Sequence, residues 1–271
     1  MVDFVSKPSY GIKDLENILV LLRSPEGCPW DREQTHKTIK RNMLEEAYEA
    51  AEAIEDENTE NLLEELGDVL MQVVFHAQIA KEAGNFSLDD IADATCKKLI
   101  RRHPHVFGNV KAENGNESLV VWDDIKREEK HHETTTDAMH SVARSLPALW
   151  RAEKIQKKAA KTGFDWPDFT GALEALNAEL VELNDAISAN SAATGKTSGN
   201  ISEELGDLLF SVVNVARFFD IDPEEALTAA SNKFIQRFSY IESNANRQGK
   251  SLKDMSFDEM ETLYQQGKLE K

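Results

Sequence analysis

The sequence predicts an all-α fold built as two tandem, related helical bundles, each of about four helices plus short connecting helices. Three observations carry this. Apolar residues recur with a period near 3.6 along almost the whole chain. Aromatics are only 7% of the residues and β-branched runs are few, which argues against a β-rich fold. Five features also occur twice in the same order, as an internal duplication would leave them. A length of 271 residues fits two domains of ordinary size. We place the boundary so as to give an N-terminal domain 1–135 and a C-terminal domain 136–271.

The repeated features run as follows. Trp30 lies in GCPWD and Trp166 in GFDWPD. An acid pair follows each, Glu46 and Glu49 first, Glu179 and Glu182 second. The string EELGD then stands at Glu64–Asp68 and returns at Glu203–Asp207, so that Glu65/Asp68 matches Glu204/Asp207. Lys98/Arg102 matches Lys233/Arg237, and Trp122/Lys126 matches Tyr264/Lys268, each pair four residues apart.

Along the chain, Leu44, Ala47, Tyr48, Ala51 and Ile54 form one apolar helical stripe with Glu45, Glu49 and Glu52 beside it. Leu62, Leu66, Val69, Leu70 and Val73 form a second. Leu173, Leu176, Leu180, Leu183 and Ile187 form the counterpart in the second half. Helices patterned in this way make bundles. Gly108–Glu117, rich in Gly, Asn and charge, reads as a linker into a helix from about Ser118 to His132, and Glu133–Asp137 hands over to the second half. Ser188–Asn200, rich in Ser, Ala, Gly and Thr, reads as a mobile loop.

Composition narrows the function. A net charge of −18 excludes bulk attraction to nucleic acid or to an anionic membrane. A phosphorylated small molecule remains open if a divalent metal screens the acids. The two cysteines, Cys28 and Cys96, have no metal-type spacing, which fits a reducing compartment. The apolar run Ile18–Leu22 is too short to span a membrane, and no small-residue cleavage site follows it. The expectation is a cytoplasmic protein.

The acids carry the chemistry. Glu46/Glu49 and Glu65/Asp68 each have a spacing of three and so share a helix face. Two such helices set antiparallel bring four carboxylates together, which is costly unless a cation fills the space. Oxygen-only donors favour Mg²⁺, or Mn²⁺, over zinc. A single acidic pair in so acidic a chain is ordinarily a solvated face; the duplication of the whole pattern is what favours a metal site. Gly67 and Gly206 fall mid-helix, where glycine costs about 1 kcal/mol relative to alanine. Their recurrence points to close approach of a partner helix or a ligand.

The i,i+4 cations Lys98/Arg102 and Lys233/Arg237 are candidate phosphate clamps or ordinary surface ion pairs. Trp122/Lys126 and Tyr264/Lys268 set an aromatic plane and an ammonium on one helical edge, to take a base and a phosphate or to pack in a core. The GKT at Gly195–Thr197 is no P-loop, since Asn190 stands where glycine is required. His103 and His105 flank Pro104 and read as turn packing, and His131 and His132 as solvated. No nucleophile–base constellation for acyl transfer is present.

These strings resemble the MazG family of nucleoside triphosphate pyrophosphohydrolases in its long two-domain form. GCPWDREQTHKTI, LEEAYEAAEAI, EELGDVLMQVVFHAQIA and RRHPHVF carry the likeness in the first half, and SLPALWRAEKIQKKAAKTGFDW and EELGDLLFSVVNVAR in the second. The resemblance implies a homodimer of intertwined bundles and Mg²⁺-dependent cleavage of nucleoside triphosphates to monophosphate and pyrophosphate, with broad tolerance of the base. It implies that the C-terminal domain has the main activity. Its metal ligands would be Glu179, Glu182, Glu204 and Asp207, with Glu46, Glu49, Glu65 and Asp68 the equivalents in the first half. Lys233 and Arg237 would hold the triphosphate, and Tyr264 and Lys268 would close over the nucleotide. Glu182 or Glu203 would position the attacking water. The C-terminal half departs from the family's EExxE string at Ala178 and has Tyr264 where tryptophan is usual; neither change touches the four ligands. A non-catalytic metal- or nucleotide-binding regulatory or scaffold module is the alternative, distinguished by the absence of product.

Overall fold

The computed structural model describes residues 4–111, 114–115, 117–118, 121–122, 125, 129, 134–192 and 198–269. All regular structure among them is helical. The chain divides into two compact units, Met1–Lys130 and His131–Lys271.

In the first unit the helices are α1 (Ile12–Arg23), α2 (Pro29–Glu33), α3 (Lys40–Glu55), α4 (Thr59–Glu82), α5 (Leu88–Arg102) and α6 (Pro104–Phe107). Local chemistry fixes their ends. Asn58 caps α4 by accepting from the Asn61 amide at 3.1 Å, and Ser87 and Asp90 form a reciprocal capping box on α5. The short connection between α3 and α4 makes them antiparallel neighbours, and they pack along their length. Leu19, Ile39, Val74, Phe75 and Ile79 form the buried core under α1 and the second half of α4. Arg23 ties this end together: it pairs with Glu82 at 2.7 Å, donates to the Asp31 and Gln34 carbonyls, and covers the Phe75 ring.

The second unit repeats the plan with α7 (Thr135–His140), α8 (Ala148–Ala160), α9 (Phe169–Ala192), α10 (Ser198–Phe218), α11 (Pro223–Arg247), a 3-10 turn (Leu252–Asp254) and α12 (Phe257–Gly267). The pair α9/α10 corresponds to α3/α4 and packs in the same way. Asp222 caps α11 through the Glu224 and Glu225 amides, and both its oxygens accept from the Trp150 indole at 2.8 Å, locking α8 to α11.

Two expectations need correction. The stretch Ser188–Asn200 is not a loop throughout: α9 continues to Ala192 and α10 begins at Ser198. Its small Ser and Ala residues cost a helix little, so the amphipathic run beside them propagates. The GKT at Gly195–Thr197 lies outside the described residues, as do His131 and His132. In the helix expected over Ser118–His132, residues 118, 121–122, 125 and 129 are described and helical.

The second correction concerns the stripes. Leu44, Ala47, Tyr48, Ala51 and Ile54 are all exposed, Tyr48 to 54%. Leu66 and Leu70 on α4, and Leu173, Leu180 and Ile187 on α9, are exposed as well. What α3 turns toward α4 is its small and acidic face, with Ala50 and Ala53 buried and Glu46 half-buried. Among the described residues of α9, Ala172 and Ala186 are buried. Small side chains let the two backbones approach, and the bulky apolar stripes are left facing outward.

Candidate metal and nucleotide site

The close approach of α3 to α4 brings their acids together. One carboxylate oxygen each of Glu46, Glu49 and Glu65 lies within 4.8 Å of the other two. In the second unit the same is true of Glu179, Glu204 and Asp207. The fourth acid of each set adjoins its triad. Asp68 acts electrostatically on Glu46 and Glu65, and Glu182 on Glu179 and Glu204. Four carboxylates on two helices therefore form one field in each unit.

That field is visible in the acids themselves. Burial, then the charges of Asp68 and Glu49, pushes the Glu46 carboxyl above the usual range, while the Gln72 amide pulls it back. Burial followed by Glu49 and Asp68 raises Glu65. Burial followed by Glu182 and Asp207 raises both Glu179 and Glu204, and Glu203 adds to the effect on Glu204. Each set is a place where one more positive charge is favourable. An octahedral Mg²⁺ holds its oxygens at about 2.0–2.1 Å, hence about 4 Å apart across the ion. Oxygens already within 4.8 Å of one another meet that demand with small side-chain rotations. The donor set is all oxygen, so a hard divalent ion fits the site.

The candidate clamp residues of the second unit gather beside one another. The Arg237 guanidinium lies 5.6 Å from the centre of the Tyr264 ring and the Lys268 ammonium 5.3 Å from it. Phe234 supports that ring at 5.8 Å. Lys233 is exposed on the same helix. The main packing partners of α11 are α12 and α8. Among the described residues, no hydrogen bond or ion pair joins these four side chains to the acids of their own unit.

In the first unit Arg102 lies 5.2 Å from the centre of the Trp122 ring but is also paired with Glu129, which binds Arg101 too. Lys98 is exposed, and Lys126 lies outside the described residues. His103 stacks edge-on against Trp122 and bonds the Leu99 carbonyl at 2.7 Å, as expected of a residue that ends a helix. Gly67 and Gly206 have nothing within 4 Å of an added Cβ, so packing inside the chain does not explain either glycine.

Sequence reasoning missed the side chains one to three turns beyond the acids on α10. Phe210, Asn214 and Arg217 continue the face of Glu204 and Asp207 and line a cavity of about 320 Å³ with Gln156 of α8. The signal available was the helical spacing of three, four and three residues onward from Asp207.

The fold is thus an all-α tandem repeat with a cluster of acids and a basic–aromatic edge in each unit. The MazG nucleotide pyrophosphohydrolase domain matches twice, over residues 34–107 and 169–241. The chain is 42% identical to the nucleoside triphosphate pyrophosphohydrolase/pyrophosphatase MazG of Thermotoga maritima, over 94% of this chain and 95% of that protein. It is 43% identical to the nucleoside triphosphate pyrophosphohydrolase of Escherichia coli K12, over 95% of this chain and 97% of that one. It is 46% identical to the uncharacterized protein YabN of Bacillus subtilis, covering 93% of this chain and half of that longer protein. The chain belongs to the MazG family.

Proposed function

We propose that this chain hydrolyses nucleoside triphosphates between the α and β phosphates, releasing monophosphate and pyrophosphate with broad tolerance of the base. The observation that carries the reading is the convergence of Glu179, Glu204 and Asp207, with Glu182 beside them, on one small volume. These residues would hold Mg²⁺, or Mn²⁺ in its place. When bound, that ion supplies charge neutralisation and polarisation of the phosphate oxygens.

The chain's own residues do the rest. Glu182 or Glu203 orients a water and takes its proton as the water oxygen bonds to the α-phosphorus. The bond from that phosphorus to the bridging oxygen breaks, and its electron pair leaves with pyrophosphate. Lys233 and Arg237 offset the charge that accumulates there. Tyr264 offers a face to the nucleotide and Lys268 a second cation.

The working unit is a homodimer. The exposed stripes of α3, α4, α9 and α10 are too apolar to face water along their whole length, and a second copy presents matching stripes. A second copy would also bring further helices to the acid clusters. No described helix is long and apolar enough to cross a membrane, which accords with a cytoplasmic enzyme.

The test is incubation with each dNTP and Mg²⁺. Monophosphate plus pyrophosphate is the expected outcome. Nucleoside diphosphate would mean γ-phosphate removal, and metal-dependent binding without product would mean a regulatory or scaffold module. Glu204→Gln and Asp207→Asn should each lower turnover by orders of magnitude with helical content unchanged. Undiminished pyrophosphate release from both would remove the C-terminal site from the reaction.

A further inference from the structure

The first acid cluster has a neighbour that the second lacks. Gln72 follows Asp68 by four residues on α4, one turn further along the face that meets α3. It is only 4% exposed. A leucine or methionine would fill such a place with no polar atom to satisfy. The amide instead adjoins the acids, and its NH₂ donates to the Glu46 carboxylate. Its Oε1 is buried and has no partner among the described residues.

The two ends of this amide have opposite consequences. A buried acceptor without a donor lowers the stability of the fold. The same burial closes Oε1 to any ion, so Gln72 is not itself a ligand. The amide cannot be turned round, because a carboxylate only accepts and Oε1 has no hydrogen to give. What Gln72 supplies is therefore its donor end. Glu46 is half-buried and is repelled by Asp68 and Glu49. A carboxylate so placed swings away from its neighbours unless something holds it. The bond from a packed, immobile amide keeps Glu46 beside Glu49 and Glu65, where the three oxygens lie within 4.8 Å of one another.

The second unit has no such support. The alignment of the two EELGD strings puts Ser211 at the place of Gln72. Ser211 is half-buried, and its hydroxyl stops well short of a glutamine's reach. Burial and neighbouring acids act on Glu179 and Glu204, and among the described residues no amide donates to either.

We propose that Gln72 is a positioning residue for the first cluster, holding the Glu46 carboxylate in the arrangement that takes a divalent ion. The inference rests on the reading of the acid clusters as cation sites. Gln72 touches neither ion nor substrate and acts through Glu46 alone. Its unpartnered oxygen is the cost of placing a donor there, and hydrogen-bonded partners of this kind set how tightly a carboxylate site holds its metal.

The experiment is a Mn²⁺ titration of the full chain, with free ion read by electron paramagnetic resonance. Glu204→Gln and Asp207→Asn form the background, so that only the first cluster takes up the ion. The background should bind Mn²⁺, and adding Gln72→Met should weaken that binding about tenfold. Methionine keeps the length of the side chain and removes the donor. The metal-free melting point should stay level or rise, because the unpartnered acceptor is gone. If Gln72→Met does not fold, Ser211→Gln carries the test: with Glu46→Gln and Glu65→Gln silencing the first cluster, it should tighten Mn²⁺ binding by the second. No Mn²⁺ uptake by the background, unchanged affinity in the variant tested, or weakened affinity with a lowered metal-free melting point would overturn the assignment. Pyrophosphate release by wild type with no effect of Gln72 on Mn²⁺ would refute the positioning role alone. The expected Mn²⁺ pattern without pyrophosphate release would refute the hydrolase reading alone.

Discussion

Glu179→Gln separates the cost of the acid cluster from its use. Glu179 is half-buried, with Glu204 and Asp207 oxygens within 4.8 Å. Each such neighbour repels it by about 0.9 kcal/mol in a water-like dielectric, and screening leaves about 1 kcal/mol in all. In metal-free protein at neutral pH, the neutral amide should therefore raise the melting point of the C-terminal unit, by about 3–5 °C for a unit of this size. The pH dependence has a definite sign. The folded carboxyl titrates above its ordinary 4.5, through burial first and then Glu182 and Asp207. Its protonation favours the fold, so the stabilisation is complete below the unfolded value and is lost as pH rises through the folded one. Metal-free wild type should gain stability on acidification through that window, and the variant should gain less. With Mg²⁺ the order reverses: wild type is stabilised and the variant is not, and its turnover falls on the order of a hundredfold. Calorimetry with EDTA and with Mg²⁺, beside a pyrophosphate assay, reads all three effects. A destabilised metal-free variant, or one that Mg²⁺ stabilises as it does wild type, would refute the claim that this cluster is a frustrated cation site.

Three further outcomes are expected. Gly206→Ala should stabilise an isolated helix by about 1 kcal/mol; if a second copy covers that face, the variant dimer should instead dissociate at a higher concentration in a dilution series. Leu66→Glu together with Leu180→Glu, placing charges on two exposed stripes, should shift sedimentation from dimer to monomer, and an unchanged mass would end the dimer reading. Glu259 caps α12 through Ser256 and pairs with Lys250, and its carboxyl is lowered from 4.5 to about 2. Its contribution is present above the unfolded value and lost as pH falls from 4.5 toward 2. Hydrogen exchange in α12 should accelerate across that window in wild type, and Glu259→Gln should flatten the change.

How far the sequence was legible depended on the range of the interaction. Helices and their acids were readable because i,i+3 spacing alone sets which carboxylates share a face, and the repeat marked both pairs of helices. The EELGD helices therefore meet the acid-pair helices where spacing requires. The direction of the apolar stripes was not readable. Period 3.6 shows that Leu44, Tyr48 and Ile54 lie together, but cannot say whether the chain itself covers them. Small Ala50 and Ala53 decided which face turned toward α4. The extent of α9 and α10 was misjudged for a related reason, since Ser and Ala suit loops and helices alike. The cavity was invisible because it depends on one long-range bond, from Gln156 on α8 to a carbonyl 54 residues away on α10.

The two repeats carry the same acids but have diverged around them, and the divergence has one direction. In the first unit the candidate clamp arginine Arg102 is paired with Glu129, and Phe75 is buried in the core with Leu19 and Val74. In the second, Arg237 lies over Tyr264 with no carboxylate paired to it among the described residues, and Asn214 leaves an open cavity. A cluster of acids alone binds a cation; turning over a triphosphate also needs an available positive charge and room for the rest of the nucleotide. Both units keep an exposed lysine on that helix, Lys98 and Lys233, but among the described residues only the first unit's arginine is tied to a carboxylate. Under the proposed function, loss of the second unit's acids should therefore lower pyrophosphate release more than loss of the first unit's.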